Sequence, residues 1–350
     1  MIKSVPFVLL LFAPILACSA FLLSGNGRHI VGKNYDWNIE DGRVIVNGKG
    51  LVKTSFGTDK PAKWCSKYGS LTFNQYGMEF PSSGINEKGL VIEALWLDKT
   101  AYPPNSEGRK EIDNMQWIQY QLDNSANVNE VIENDKELAF HPITPTAVHY
   151  FIADRSGESL IFESVQGIMH HYLADTSNPA ILTNDPYDKS IRLMRKCKVF
   201  GGTLKEPEGH GSVSRFIQMA VLLNGGIKPK PIEQSFEILA KVRMPTITKW
   251  SIVYDLDSSI VYYKTVSRPR IKKIEISKLD FACSPSRKAL DIRFNKANTT
   301  SYFGKYDIAD NTKLISNTFN RVDFIKIRGP HLVQEVEEYL RTISCNQTTE

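Results

Sequence analysis

The chain has 350 residues, 42% of them hydrophobic and 23% charged, with a formal net charge of +5. That composition excludes a disordered, fibrous or repeat protein and supplies enough apolar material for a large core. Basic residues are scattered, and the one short cluster, "RPRIKK" at Arg268 to Lys273, reads as a solvated strand end, so no nucleic-acid surface is expected.

In chain order, Met1, Ile2 and Lys3 form a positive leader before the apolar run "VPFVLLLFAPILA", which closes on the small residue Ala17. Pro6 and Pro14 oppose a buried helix, and the run is too short to span a bilayer. This predicts an export signal over residues 1–17 and a chain from Cys18 onward that is periplasmic or secreted. No later apolar run approaches the roughly 18 residues a membrane span needs.

After Cys18, "SAFLLS" and "RHIVGKNYDW" read as two strands around the turn residues "GNG" at 25–27. The loop length, and with it the side chain that faces Cys18, stays open, but every register returns Asn34, Tyr35 and Asp36 to the neighbourhood of Cys18. Further strands are predicted over 42–48, 69–77 and 89–97. A helix is predicted over 111–123, with Ile112, Met115, Ile118 and Leu122 on one face. Strand pairs follow over 147–165, around Ser156-Gly157, and over 248–265, around Asp257 to Ser259. Helices over 190–200, 212–224 and 231–242 lie between them. Strands in groups and helices in groups argue for an α+β layered fold in a single domain from 18 to 350. No glycine-rich phosphate loop is present. No element is assigned beyond about residue 285.

The five cysteines, Cys18, Cys65, Cys197, Cys283 and Cys345, form no CxxC pair and sit with no histidines at zinc spacing, so neither a metal nor a cofactor is expected. His170 and His171 lack a third ligand and read as a solvated strand. An odd count in an exported protein sets Cys18 apart and leaves the other four to form two bridges or none.

A cysteine at a cleavage point carries its own base, because a free α-amine titrates near neutrality and can take the thiol proton. Asp36 is suited to hold the ammonium and Lys33 to lower the thiol pKa. Cys18 followed by "GKNYDW", "GINEKGL", "ILTNDP" and "SRF" in that order resembles the choloylglycine hydrolases and penicillin V acylases, from Cys18 to about Thr265. The resemblance implies the four-layer αββα sandwich of the amino-terminal-nucleophile hydrolases and cleavage of a linear amide in a small-molecule N-acyl substrate of bile-salt, penicillin V or acyl-homoserine-lactone type. It implies Cys18 as nucleophile, Asp36 beside its amine, Asn184 and a backbone N–H at Trp96 in the oxyanion hole, and Arg215 as the active-site arginine. Lys33 stands where these enzymes usually have arginine. Trp96, Trp37 and Asn34 are the expected substrate contacts, and a homo-oligomer is compatible with this reading.

Each residue also has a plainer reading. Asp36 and Asn34 could cap a strand, Asn184 could serve the Asp185-Pro186 turn, Arg215 could pair with surface carboxylates, and Trp37 and Trp96 could be core. The main rival for Cys18 is lipidation, since "ILAC" partly fits a lipoprotein signal; the chain would then be a lipid-anchored, non-catalytic binding protein. A third reading has Cys18 bridged in a disulfide-stabilised secreted protein.

Overall fold

Asn26 and Gly27 both take positive φ, 54° and 69°, so the "GNG" stretch closes as the two-residue mirror-image turn whose twist matches a hairpin. In the computed structural model, which describes residues 17–284 and 286–346, this fixes the open register: Gly25 pairs with Arg28 and Cys18 with Tyr35. The expected export segment lies, but for Ala17, outside the described residues.

That hairpin is the centre of a six-stranded sheet. Its order is β14 (Ile181–Leu182), β1 (Cys18–Gly25), β2 (Arg28–Asp36), β15 (Thr248–Asp255), β16 (Ile260–Thr265) and β17 (Lys272–Glu275). A nine-stranded sheet runs β13 (Ile168–Leu173), β12 (Ser159–Val165), β11 (Val148–Ala153), β8 (Val91–Trp96), β7 (Ser83–Asn86), β6 (Ser70–Asn74), β3 (Arg43–Asn47), β18 (Arg287–Asp291) and β19 (Gly304–Tyr306). β1 packs on β8 and β11, so the two sheets lie face to face. Outside the first sheet, α4 (Ser212–Asn224) packs on β1 and β14 and against α3 (Tyr187–Met194), while α5 (Pro231–Lys241) covers β2 and β15. Outside the second, α1 (Gln116–Asn124) packs on β7 and β8 and touches α2 (Val128–Asp135). The expected helix–sheet–sheet–helix order is thus present. Strands covered on both faces lose alternation, which is why every residue of β7 and β11 is buried.

Two small sheets are also present among the described residues: the parallel pair β9 (Lys110–Ile112) and β10 (Leu138–Phe140), and β20 (Ser344–Cys345), β4 (Leu51–Thr54) and β5 (Lys63–Cys65). The tail beyond about residue 285, where the sequence predicts no element, holds α6 (Ile308–Phe319), α7 (Asp323–Lys326) and α8 (Gly329–Leu340), packed on one another.

Three expectations are corrected. The helix expected over 111–123 begins at Gln116, because Asp113 turns back to accept the N–H groups of Met115 (2.8 Å) and Gln116 (3.2 Å), and Ile112 belongs to β9. The helix expected over 190–200 occupies 187–194 instead. One disulfide replaces two or none: β20 returns beside β4 and meets the Cys283 loop, giving Cys283–Cys345, while Cys18, Cys65 and Cys197 are free thiols.

Candidate active site

Cys18 is the first residue of β1 and is buried at 5% exposure. Its backbone N–H donates to Asn184 Oδ1 at 2.7 Å. Asn184 follows β14, the neighbour of β1, and its own N–H donates to Ser212 Oγ at 2.9 Å. Asn184 Nδ2 donates to Trp96 O at 2.8 Å, which leaves one further N–H on that amide. The Asp185-Pro186 turn therefore does more than reverse the chain: it delivers a side-chain amide to Cys18.

Arg215, on the first turns of α4, is 1% exposed. Its Nη1 donates to Cys18 O and Ser19 Oγ, both at 2.5 Å, its Nη2 to Asn184 Oδ1 at 2.7 Å and its Nε to His210 O at 3.0 Å. The surface-pairing reading fails, since the guanidinium is buried and both Nη atoms bond to Cys18, Ser19 or Asn184.

Asp36, at the end of β2, is equally enclosed. Its Oδ1 accepts Thr248 Oγ1–H at 2.5 Å, while Oδ2 is buried with no hydrogen-bond partner among the described residues. Burial lifts its carboxyl to about 6, with Arg215 and Thr248 working against the rise. Burial likewise raises the Cys18 thiol; Lys33 is the strongest opposing influence, followed among the lowering ones by the Asp36 backbone N–H and Arg215.

Lys33 sits inside the sandwich rather than in the cleft. On β2 it lies opposite Ala20, and its Nζ crosses to the second sheet, donating to Ala94 O at 2.6 Å and pairing with Glu93 at 3.1 Å. Both side chains are fully buried, and Glu93 also accepts Ser83 Oγ–H at 2.5 Å. Removing one partner of such a pair strands the other charge, so Lys33→Met is expected to lower unfolding free energy by about 3–5 kcal/mol in urea titration. It is also expected to slow alkylation of Cys18 at neutral pH. Unchanged stability and an unchanged alkylation profile would remove Lys33 from both roles.

Of the expected substrate contacts, Trp37 and Trp96 line the Cys18 cleft and Asn34 does not. Asn34 alternates to the helix-facing side of β2, where its Nδ2 donates to Leu239 O of α5 at 2.8 Å and its Oδ1 accepts Ser251 Oγ–H at 2.7 Å. The cleft is walled by Cys18, Tyr35, Trp37, Tyr76, Trp96 and Met115 among others. The rings of Trp37 and Trp96 lie 6.0 Å apart, and Trp37 Nε1 has no hydrogen-bond partner among the described residues.

Sequence reading missed the residues behind this set. Thr248, on β15, reaches Asp36 only because β15 pairs with β2. His149 and Glu163 are buried on β11 and β12, 3.0 Å apart, and His149 Nε2 meets Thr183 O at 2.7 Å, holding the peptide that precedes Asn184. A histidine inside the apolar run "AVHYF" was the available signal for the pair; Thr248 gave none.

The sequence profile described as "Linear amide C-N hydrolases, choloylglycine hydrolase family" matches residues 18–198. A penicillin V acylase of Pectobacterium atrosepticum is 26% identical over 315 residues, covering 76% of this chain and 83% of that protein. The fold is similar to that of penicillin V acylase from Agrobacterium tumefaciens (TM-score 0.72, 23% identity, 83% of this chain and 98% of that one). It is also similar to a single-residue variant of conjugated bile acid hydrolase from Clostridium perfringens (TM-score 0.65, 21% identity, 81% and 99%).

Proposed function

Because the chain belongs to the choloylglycine hydrolase family of linear amide C-N hydrolases, we propose that it cleaves an N-acyl amide through Cys18 once residues 1–17 are removed. The observation that carries this reading is the hydrogen bond from Cys18 N to Asn184 Oδ1, together with Asp36 on the same cleft, a buried carboxylate whose Oδ2 has no hydrogen-bond partner among the described residues. A neutral amide nitrogen gives that carboxylate nothing to pair with. An ammonium there would.

In this mechanism the α-amine of Cys18 takes the thiol proton, and the sulfur attacks the substrate carbonyl carbon. The carbonyl electrons move onto oxygen, where the second N–H of Asn184 Nδ2 and a backbone N–H at Trp96 receive the charge; one well-aimed donor lowers a barrier by roughly 3–4 kcal/mol. The carbon–nitrogen bond then breaks, and the leaving nitrogen takes the proton held by the amine. Water adds to the thioester as the amine accepts its proton, and the carbon–sulfur bond breaks to release the acid. Arg215 fixes the Cys18 carbonyl and Asn184 throughout. Trp37 and Trp96 supply the apolar contacts of the acyl group.

We place this activity outside the cytoplasm. The reading is supported by the leader-like residues 1–17 and by the Cys283–Cys345 bridge, a bond that persists in oxidising compartments.

A panel of phenoxyacetyl, bile-acid and fatty-acyl amides, read by released amine, tests the proposal together with the intact mass of the exported protein. Turnover of at least one amide and a mass beginning at Cys18 are expected. A mass increase of a diacylglycerol on Cys18 and no turnover would establish the lipid-anchored alternative.

A further inference from the structure

The Cys18 cleft shares a wall with a second cavity. Tyr76, Met115 and Thr146 line the cleft, and the same three residues line the second cavity. The far wall of that cavity comes from the C-terminal helices: Phe319 of α6, Ile325 of α7, and Leu332 and Val336 of α8. Phe324 of α7 ties the same helices to the cleft itself, with its ring 5.7 Å from Trp96 and 6.3 Å from Trp37.

The second cavity offers little to a polar ligand. Asp113 lines it, but its carboxylate already accepts the N–H groups of Met115, Gln116 and Ile143. Thr144 and Thr146 bond to each other at 2.6 Å. What remains facing the space is aliphatic and aromatic carbon, which favours hydrocarbon over anything hydrated.

We propose that these two cavities form one acyl subsite, and that the C-terminal segment 308–340 is its chain-length gauge for an unbranched acyl group. This rests on the amidase reading above. With the carbonyl at Cys18, the first carbons lie among Trp37, Trp96 and Tyr76, and the chain passes Met115 and Thr146 to end against α6–α8. A flexible chain can bend through a neck of three side chains; a rigid fused-ring acyl group cannot, and a phenoxyacetyl group stops short of it. Met115 at the neck suits this role because its unbranched thioether adapts to what passes. The gauge is held in place independently of any ligand: Asn311 Oδ1 accepts Met78 N–H at 2.7 Å, Thr318 Oγ1 donates to Gln75 O at 3.0 Å, Gln116 Nε2 donates to Tyr339 Oη at 2.7 Å, and Cys283–Cys345 closes the end.

The test uses the protein beginning at Cys18 and hexanoyl, decanoyl and tetradecanoyl amides of one common amine. Expected is a kcat/KM that rises at least about tenfold from hexanoyl to the longer chains, and a ratio that collapses toward one in Leu332→Trp and in Val336→Trp, which fill the far cavity. Ile325→Ala, which enlarges it, should move the optimum to a longer chain and guards against misreading a folding defect. A flat series in the wild type, or an equal fall for short and long chains in the filling variants, overturns the gauge. Calorimetric binding of the free acids to Cys18→Ala separates the two readings. Length-dependent binding without turnover of any amide sinks the amidase and keeps the subsite; turnover with length-independent binding does the reverse.

Discussion

Replacing Cys18 with serine is expected to leave a folded protein whose amidase rate has fallen by roughly 10⁴-fold or more. Folding should survive because the exchange changes one atom on a side chain whose backbone is held by β2 and by Arg215. The rate should not, because the base available to residue 18 is an amine of near-neutral pKa, adequate for a thiol and far too weak to generate an alkoxide. Released amine measures the loss, and circular dichroism with urea unfolding confirms the fold. Rapid-quench mass spectrometry adds a positive readout: the wild type should show a transient acyl adduct on the peptide containing Cys18. Substantial turnover by Cys18→Ala, its substitution verified by mass, would sink the sulfur as nucleophile.

Holding Met-Gly ahead of Cys18 should lower the rate by roughly 10²–10⁴-fold, the range a positioned general base contributes. The nitrogen that now donates to Asn184 Oδ1 would then remain an amide and have no lone pair for the thiol proton. A second, independent consequence follows for stability. In the uncut chain Asp36 is raised from 3.8 to about 6, with burial as the largest cause. A carboxyl whose folded pKa lies above its unfolded value binds more protons in the native state. Stability therefore falls as pH rises from about 4 to about 6, and the full cost, about 3 kcal/mol, persists above that window. With the amine freed, an ammonium beside Asp36 Oδ2 supplies the missing partner and the fall should shrink. Urea titrations of the extended and cut forms across this window compare the two slopes. Parallel profiles would place the ammonium elsewhere, and normal turnover by the extended protein would assign the base to another group.

Local signals carried much of this site. "GNG" specified a hairpin, and every register of that hairpin returned Asp36 to Cys18; the observed turn selected one of them. "SVSRFIQMAVLLN" read as a helix and is α4 over the same residues, because its apolar positions repeat at helical spacing. Arg215 and Asn184 were named from motifs, and their meeting at 2.7 Å follows from β14 pairing with β1 while α4 packs on both. Lys33 is expected from its charge to lower the Cys18 thiol pKa, and it is the strongest lowering influence there, but it acts from inside the sandwich, paired to Glu93. A sequence gives its neighbours along β2 but not Glu93, which comes from the opposite sheet.

By itself, then, the amino-acid sequence determined the exposed logic of the chain: a leader-like start, a cysteine after it, a tight hairpin, and grouped strands and helices whose periodicities mark layers. These are local properties, set by turn chemistry and by the spacing of apolar residues. The tertiary structure alone decided which side chains meet across layers. Asn34 turned to α5 and left the cleft, because successive residues of a strand point to opposite faces and only the packed sandwich says which face holds the substrate. Thr248 came to Asp36 through a strand pairing across more than two hundred residues, and α6–α8 came to the Cys18 cleft through packing that no local pattern encodes. Long-range contacts of this kind depend on the whole chain closing at once, and that is the reason no local pattern marks the far end of the proposed acyl subsite.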